Sequence, residues 1–202
     1  MIGTSFDVVL AAAQRGDETA FSVLWRDIQP ALLRYLWVAT GEASAGSRAT
    51  AVIDTADDVA ADTWLDVVRG LRDFKGGEPA FRGWVFTVAR HRAVDAGRRA
   101  ARRPARPVPN EELEWVSTGD DPADAALEAD ATSRALALIA SLPPNQAEVV
   151  MLRVVGGLEV AQVAAIIGKR SGAVRVLAHR GLRRLAERLS DRNRASSPGG
   201  VG

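Results

Sequence analysis

DDVAADTWLDVVRGLRDFKGGEPAFRGWVFTVARHRAVDAGRRAARR, residues 57–103, decides how this chain is read. An acidic and apolar segment comes first. A Gly-Pro turn, KGGEP at residues 75–79, follows. The next segment starts apolar and ends in arginines. Val59, Trp64, Val67, Val68 and Leu71 recur at helical spacing and predict one core-facing stripe. Phe81, Trp84, Val85, Val88 and Ala89 predict a second. Asp58 and Asp62 stand four apart and so share a helical face. Such a pair suits acid–base chemistry, a metal ion, a basic docking partner or plain solvation. No His or third carboxylate stands near at ligand spacing, which argues against a metal.

Upstream, residues 6–39 predict two helices. Val8, Val9, Ala12 and Ala13 mark the first. Gly16-Asp17 breaks the pattern, with Asp17 placed to cap the second. Phe21, Leu24, Trp25, Ile28, Leu32, Tyr35 and Leu36 form a long apolar stripe, which Pro30 is expected to kink or divide. Residues 41–50, GEASAGSRAT, read as a loop, and Asp54 or Thr55 caps the helix that follows.

Downstream, PARPVP at residues 104–109 stops the arginine-rich helix. Residues 110–130 are acidic, with Trp115 a lone anchor and little fixed structure expected in the first half. Residues 122–140 read as helical. Pro143-Pro144 opens a further helix (Ala147, Val150, Met151, Val154) that ends at Gly156-Gly157. In LEVAQVAAIIGKRSGAVRVLAHRGLRRL, residues 158–185, Ala164, Gly168 and Val174 have helix-turn-helix spacing. The alanine admits close packing, the glycine the turn, and the valine fills the seam. Ser171 is expected to cap the second helix, which would enter the major groove N-terminus first. A purely structural helical hairpin is the plain alternative.

The net charge of +1 matters less than its distribution. Arg82, Arg90, Arg92, Arg98, Arg99, Arg102, Arg103 and Arg106 face one acid, Asp95. Glu111, Glu112, Glu114, Asp120, Asp121, Asp124, Glu128 and Asp130 face no base, and basic charge returns over residues 169–194. Two nucleic-acid faces joined by an acidic tether fit this pattern, as do solvated helix faces. The 202 residues hold no Cys, so disulfides and thiolate chemistry are excluded. No apolar run approaches the ~20 residues a bilayer span needs, and the N-terminus lacks signal-peptide character. A cytoplasmic protein without membrane insertion is expected.

Taken together, these segments resemble the extracytoplasmic-function sigma factors, bacterial transcription initiation factors built from sigma-two and sigma-four domains. DDVAADTWLDVVRGLRDF is similar to their core-polymerase-binding segment, FRGWVFTVARHRAVDAGRRAARR to their promoter-melting and minus-ten-reading segment, and residues 142–189 to their minus-thirty-five-reading domain. The resemblance implies an all-α chain of two small helical domains joined by a flexible acidic linker. Residues 1–103 would be the sigma-two domain, 104–132 the linker, 133–192 the sigma-four domain and 193–202 a disordered tail. It implies that Asp58, Asp62 and Thr63 contact the beta-prime clamp helices of core RNA polymerase. Arg82, Trp84, Arg90, His91, Arg92, Arg98 and Arg99 would serve the minus-ten element. Ser171, Arg175, His179, Arg180 and Arg183 would serve the minus-thirty-five element. The beta flap, promoter DNA and an anti-sigma factor are the further partners implied, with no cofactor and no small-molecule substrate.

The chain departs from that family in places. Ala61 stands where Gln is usual, His91 where Asn is common, and Val176 and Leu177 where Ser and Arg are frequent. Those two apolar residues cannot donate to base edges, though they can meet a thymine methyl. The loop before Asp54 is longer than usual. The second reading is a stand-alone helix-turn-helix regulator whose N-terminal half binds a ligand or dimerises. The third is an enzyme, disfavoured by only two His and by the absence of a GxxxxGK[ST] phosphate loop.

Overall fold

A computed structural model describes residues 2–45, 55–102 and 122–196, and every regular element among them is helical. After a single 3-10 turn come α1 (Phe6–Gln14), α2 (Glu18–Ala39), the short α3 (Glu42–Ala45), α4 (Ala56–Leu71) and α5 (Glu78–Arg102). The C-terminal half holds α6 (Pro122–Ala140), α7 (Pro144–Val150), a π-helical turn (Met151–Val155), α8 (Val160–Ile167) and α9 (Ser171–Ser196). Asp54, Trp115, most of the acidic linker and the residues after Ser196 lie outside the described residues.

Local chemistry sets the helix starts. Asp17 accepts a hydrogen bond from the Ala20 N–H at 2.9 Å and caps α2. Thr55 caps α4 in a reciprocal box, accepting from the Asp58 N–H while Asp58 accepts from the Thr55 N–H at 3.0 Å. Pro30 sits exposed inside α2 without dividing it. The segment read as a loop at residues 41–50 contains α3, whose Glu42 accepts from the Ala56 N–H at 2.5 Å and ties α3 to the start of α4.

The N-terminal core lies between α2, α4 and α5. Leu24, Leu32, Leu36, Val59, Val67, Phe81, Val85 and Phe86 are its most buried apolar members. Tyr35 meets Phe86 edge-on at 5.6 Å, and Phe74 stacks on Trp84 at 5.1 Å. Four positions of the expected apolar stripes turn outward. Val8 is 73% exposed, Trp25 39%, Val68 53% and Val154 60%. In α1 the buried face is Phe6, Leu10 and Ala13; in α4 it runs through Ala56, Val59, Ala60, Thr63, Trp64, Val67 and Leu71. Val154 turns out because it lies in the π-helical turn, whose wider winding shifts side-chain register. That turn closes with the Gly156 N–H on the Met151 carbonyl at 2.8 Å. A Cβ at Gly156 would stand 2.7 Å from the Leu152 carbonyl oxygen, so only glycine fits there.

In the C-terminal half α9 packs across α7 and α8. Gly168 adopts the left-handed conformation (φ 64°, ψ 37°) and ends α8, and Val174 is fully buried. Ala164 is buried too, so all three helix-turn-helix positions hold their expected places. Ser171 is the first residue of α9 and not its cap, because the Val174 N–H reaches the Arg170 carbonyl at 3.1 Å. At Gly181 a Cβ would meet Val150 Cγ2 at 2.8 Å. Gly181→Val therefore overpacks the α7–α9 contact and is expected to cost about 1–3 kcal/mol, read as a lower urea midpoint of the full chain.

α6 runs unbroken from Pro122 to Ala140, the stretch expected to be helical, and α9 continues to Ser196. The halves are also packed on each other. One apolar cluster joins residues of α2, α4 and α5 to Val149, Met151, Leu152, Leu158, Val163 and Val174.

Candidate nucleic-acid and protein interfaces

The outer face of α4 carries the first candidate site. Asp58 is exposed, but its carboxylate is engaged in the Thr55 box. Asp62 is half-buried, and Ala61 between them is exposed. Thr63 does not belong with them. It is 0% exposed, and its hydroxyl donates to the Val59 carbonyl at 2.7 Å within the helix. Its place among partner-contacting residues is therefore corrected: it faces the core. Leu65, 55% exposed, and Val68 continue the outer face beyond Asp62. Asp58, Asp62 and Leu65 at i, i+4 and i+7 fall on one stripe, a signal that helical spacing carried and that the acidic pair overshadowed.

α5 carries the second candidate site, and its arginines divide into two sets. Arg82 is 8% exposed and donates through Nη2 to Asp27 Oδ2 at 2.5 Å. A buried, paired guanidinium has no surface for phosphate, so Arg82 is corrected from a DNA contact to a structural residue. Trp84 is half-buried against Phe74. Arg90 donates through Nε to Glu148 Oε1 of α7 at 2.7 Å. Arg92 donates through Nε to Asp66 Oδ2 of α4 at 2.7 Å. That hydrogen bond, despite some desolvation, holds the Asp66 carboxyl below the usual carboxylate range. The second set is reachable. His91 and Arg98 are exposed, Arg98 with a long 3.4 Å contact to Asp95 among the described residues, and Arg99 is half-buried.

α9 carries the third. Arg175, His179, Arg180 and Arg183 are all exposed, and Ser171 is half-buried at the helix start. Arg175, His179 and Arg183 lie four apart along one face. Arg183 also holds Glu187 at 2.8 Å, a surface pair of little energetic weight. Lys169 and Arg170 stand exposed in the turn just before. Among the described residues no group of His, Cys, Asp or Glu is placed to hold a metal ion, and no helix is long and apolar enough to cross a membrane.

A helix-turn-helix with a basic, outward second helix, joined to a unit that carries an acidic outer face and an arginine-rich helix, defines a DNA-binding transcription protein. Residues 44–103 match the family model for Sigma-70 region 2, and residues 133–185 that for Sigma-70 region 4. The chain is 33% identical over 189 residues to the ECF RNA polymerase sigma factor SigD of Mycobacterium tuberculosis, covering 94% of this chain and 86% of that protein. It is 31% identical over 184 residues to the ECF RNA polymerase sigma factor ShbA of Streptomyces griseus, covering 90% and 94%. It shares its fold with CnrH, solved in complex with the cytosolic domain of CnrY, at a TM-score of 0.59 and 23% identity over 96% of this chain and 99% of that one. The chain belongs to the ECF sigma factors: it is an alternative sigma factor that directs transcription initiation.

Proposed function

We propose that α4 docks on the clamp helices of the polymerase beta-prime subunit through Asp58, Asp62 and Leu65. α5 then holds the minus-ten element through His91, Arg98 and Arg99, joined by Arg90 and Arg92 once their carboxylates let go. Trp84 lies beside this path. α9 reads the minus-thirty-five element in the major groove through Arg175 and His179, with Arg180, Arg183 and the start of the helix at Ser171 on phosphates. Residues 1–103 and 133–192 act as the two functional units, and the C-terminal unit also meets the beta flap. The role is non-catalytic, needs no cofactor, and is carried out in the cytoplasm.

The observation that carries this reading is the exposed Arg175–His179–Arg183 face on a helix whose partner Val174 is fully buried. Only a helix locked at its base can hold base-reading side chains in register. Regulation by an anti-sigma protein fits the same scheme; CnrH, of the same fold, was solved with the cytosolic domain of CnrY. The test is a pull-down with core RNA polymerase followed by run-off transcription on a genomic fragment library. Stable binding with discrete new start sites is expected. Duplex binding without polymerase binding would instead indicate a stand-alone regulator. Arg175→Ala is expected to weaken promoter binding by about 1–3 kcal/mol and relax one minus-thirty-five position. Unchanged affinity and preference in a competition assay would remove Arg175 from the reading surface.

A further inference from the structure

A cleft of about 490 Å³ opens between α2, α5 and the α6–α7 segment. Val38, Ala93, Val94, Leu142 and Met151 supply its apolar walls, and Tyr35, Arg90 and Glu148 supply polar groups. Small-molecule sites usually measure about 300–1,000 Å³ and pair apolar walls with a few convergent polar groups, and this cleft meets both conditions.

Tyr35 is its most telling member. It is 2% exposed, and its ring is held edge-on against Phe86 at 5.6 Å. The side chain borders the cleft, and its hydroxyl has no hydrogen-bond partner among the described residues. A buried hydroxyl without a partner is costly, and a polar atom in the cleft would satisfy it. Burial pushes the phenol well above its usual value, with Glu148 adding to the rise and Arg90 opposing it. The group therefore keeps its proton and serves as a donor.

The charges beside it cancel. Arg90 donates through Nε to Glu148 Oε1 at 2.7 Å. A cationic ligand would lie against the Arg90 guanidinium, and an anionic one against the Glu148 carboxylate. A third charge brought between apolar walls would lack a partner, whereas an uncharged acceptor suits the free phenol.

We propose that this cleft binds an uncharged, mainly apolar small molecule with a carbonyl group, whose oxygen accepts from the Tyr35 hydroxyl and whose hydrocarbon part lies on Val38, Val94, Leu142 and Met151. The carbonyl completes the bonding of Tyr35. The hydrocarbon part covers Val94, which is 38% exposed. Such a site is independent of the polymerase and promoter assignments.

Tyr35 is the chain's single tyrosine, so ring-fluorinated tyrosine incorporated into the full chain reports from this place alone by fluorine NMR. The probe is N-benzylhexanamide. A saturable shift is expected, with a Kd below about 1 mM. Two charged counterparts, hexanoate with a terminal phenyl and N-benzylhexylamine, are expected to bind at least about tenfold more weakly. No shift, or one that does not saturate, means that the cleft takes up water only and overturns the site. Equal or tighter binding of either charged probe overturns the uncharged ligand class.

Gly97 also lines the cleft, and a Cβ there meets nothing within 4 Å, so a side chain at this position enters open space. Gly97→Leu is expected to weaken the probe at least about tenfold at the parent's urea midpoint. Parent affinity in that variant overturns the location. Tyr35→Phe keeps the ring and removes the hydroxyl. Saturation-transfer NMR observed on the probe is expected to show binding about threefold to tenfold weaker. Unchanged affinity overturns the Tyr35 contact and the carbonyl requirement that rests on it.

Discussion

Arg82→Met is expected to lower the unfolding free energy of the full chain by about 3–5 kcal/mol, and Asp27→Leu placed beside it to restore most of the loss. The Arg82–Asp27 side chains are 10% and 13% exposed, so the pair sits largely out of water. Removing Arg82 takes its guanidinium from a carboxylate that water solvates poorly. Removing both replaces an ion pair with apolar contact, which is often neutral. Arg82 Nε has no hydrogen-bond partner among the described residues, so this guanidinium is already incompletely satisfied. Urea titration followed by fluorescence of the core Trp64 and half-buried Trp84 reads the effect. A promoter-binding defect at unchanged stability would return Arg82 to the DNA surface. A double variant as weak as the single one would show that packing, and not charge, is what Arg82 contributes.

Arg82 also marks the limit of what residue type reveals. Its spacing places it one position after Phe81, on the buried side of α5, but the resemblance placed it at the minus-ten element. The deciding fact is Asp27, 55 positions upstream, and helical spacing cannot pair residues across elements. Thr63 fails for a similar reason. It follows Asp62 directly, yet one step along a helix rotates it by about 100° into the core. By contrast, the helix-turn-helix was legible almost whole, because Ala164, Gly168 and Val174 each answer a separate steric demand at a fixed distance. Pro143-Pro144, Asp17 and Thr55 likewise announced their helix starts through local chemistry.

What escaped the sequence was register and assembly. Val8 and Val68 match an apolar period as well as their buried neighbours do, and only the facing helices decide between them. The π-helical turn at Met151–Val155 moved Val154 outward without any residue that forbids an α-helix there. The packing of α8 on α5 rests on Gly83 and Gln162, two residues that have no pattern in common until they meet.

On the outer face of α4, Leu65→Arg is expected to cost about 2–4 kcal/mol in affinity for core polymerase, roughly 30- to 1000-fold. An apolar side chain 55% exposed beside carboxylates loses little by being alone in water and gains much by being covered. Arginine there swaps a desolvated contact for a charge that must be buried or displaced. Stability should hold, because exposed substitutions away from caps and cores stay within about 0.5 kcal/mol. Asp58→Arg is a poorer probe of the same surface. It also breaks the Thr55 box, at about 1 kcal/mol of helix stability, so a binding loss would mix two causes. Leu65→Arg and Asp62→Arg separate them: both should show the parent's urea midpoint and a weakened holoenzyme in a gel-filtration or fluorescence titration. If Leu65→Arg assembles with polymerase as the parent does, the polymerase seat lies off this stripe.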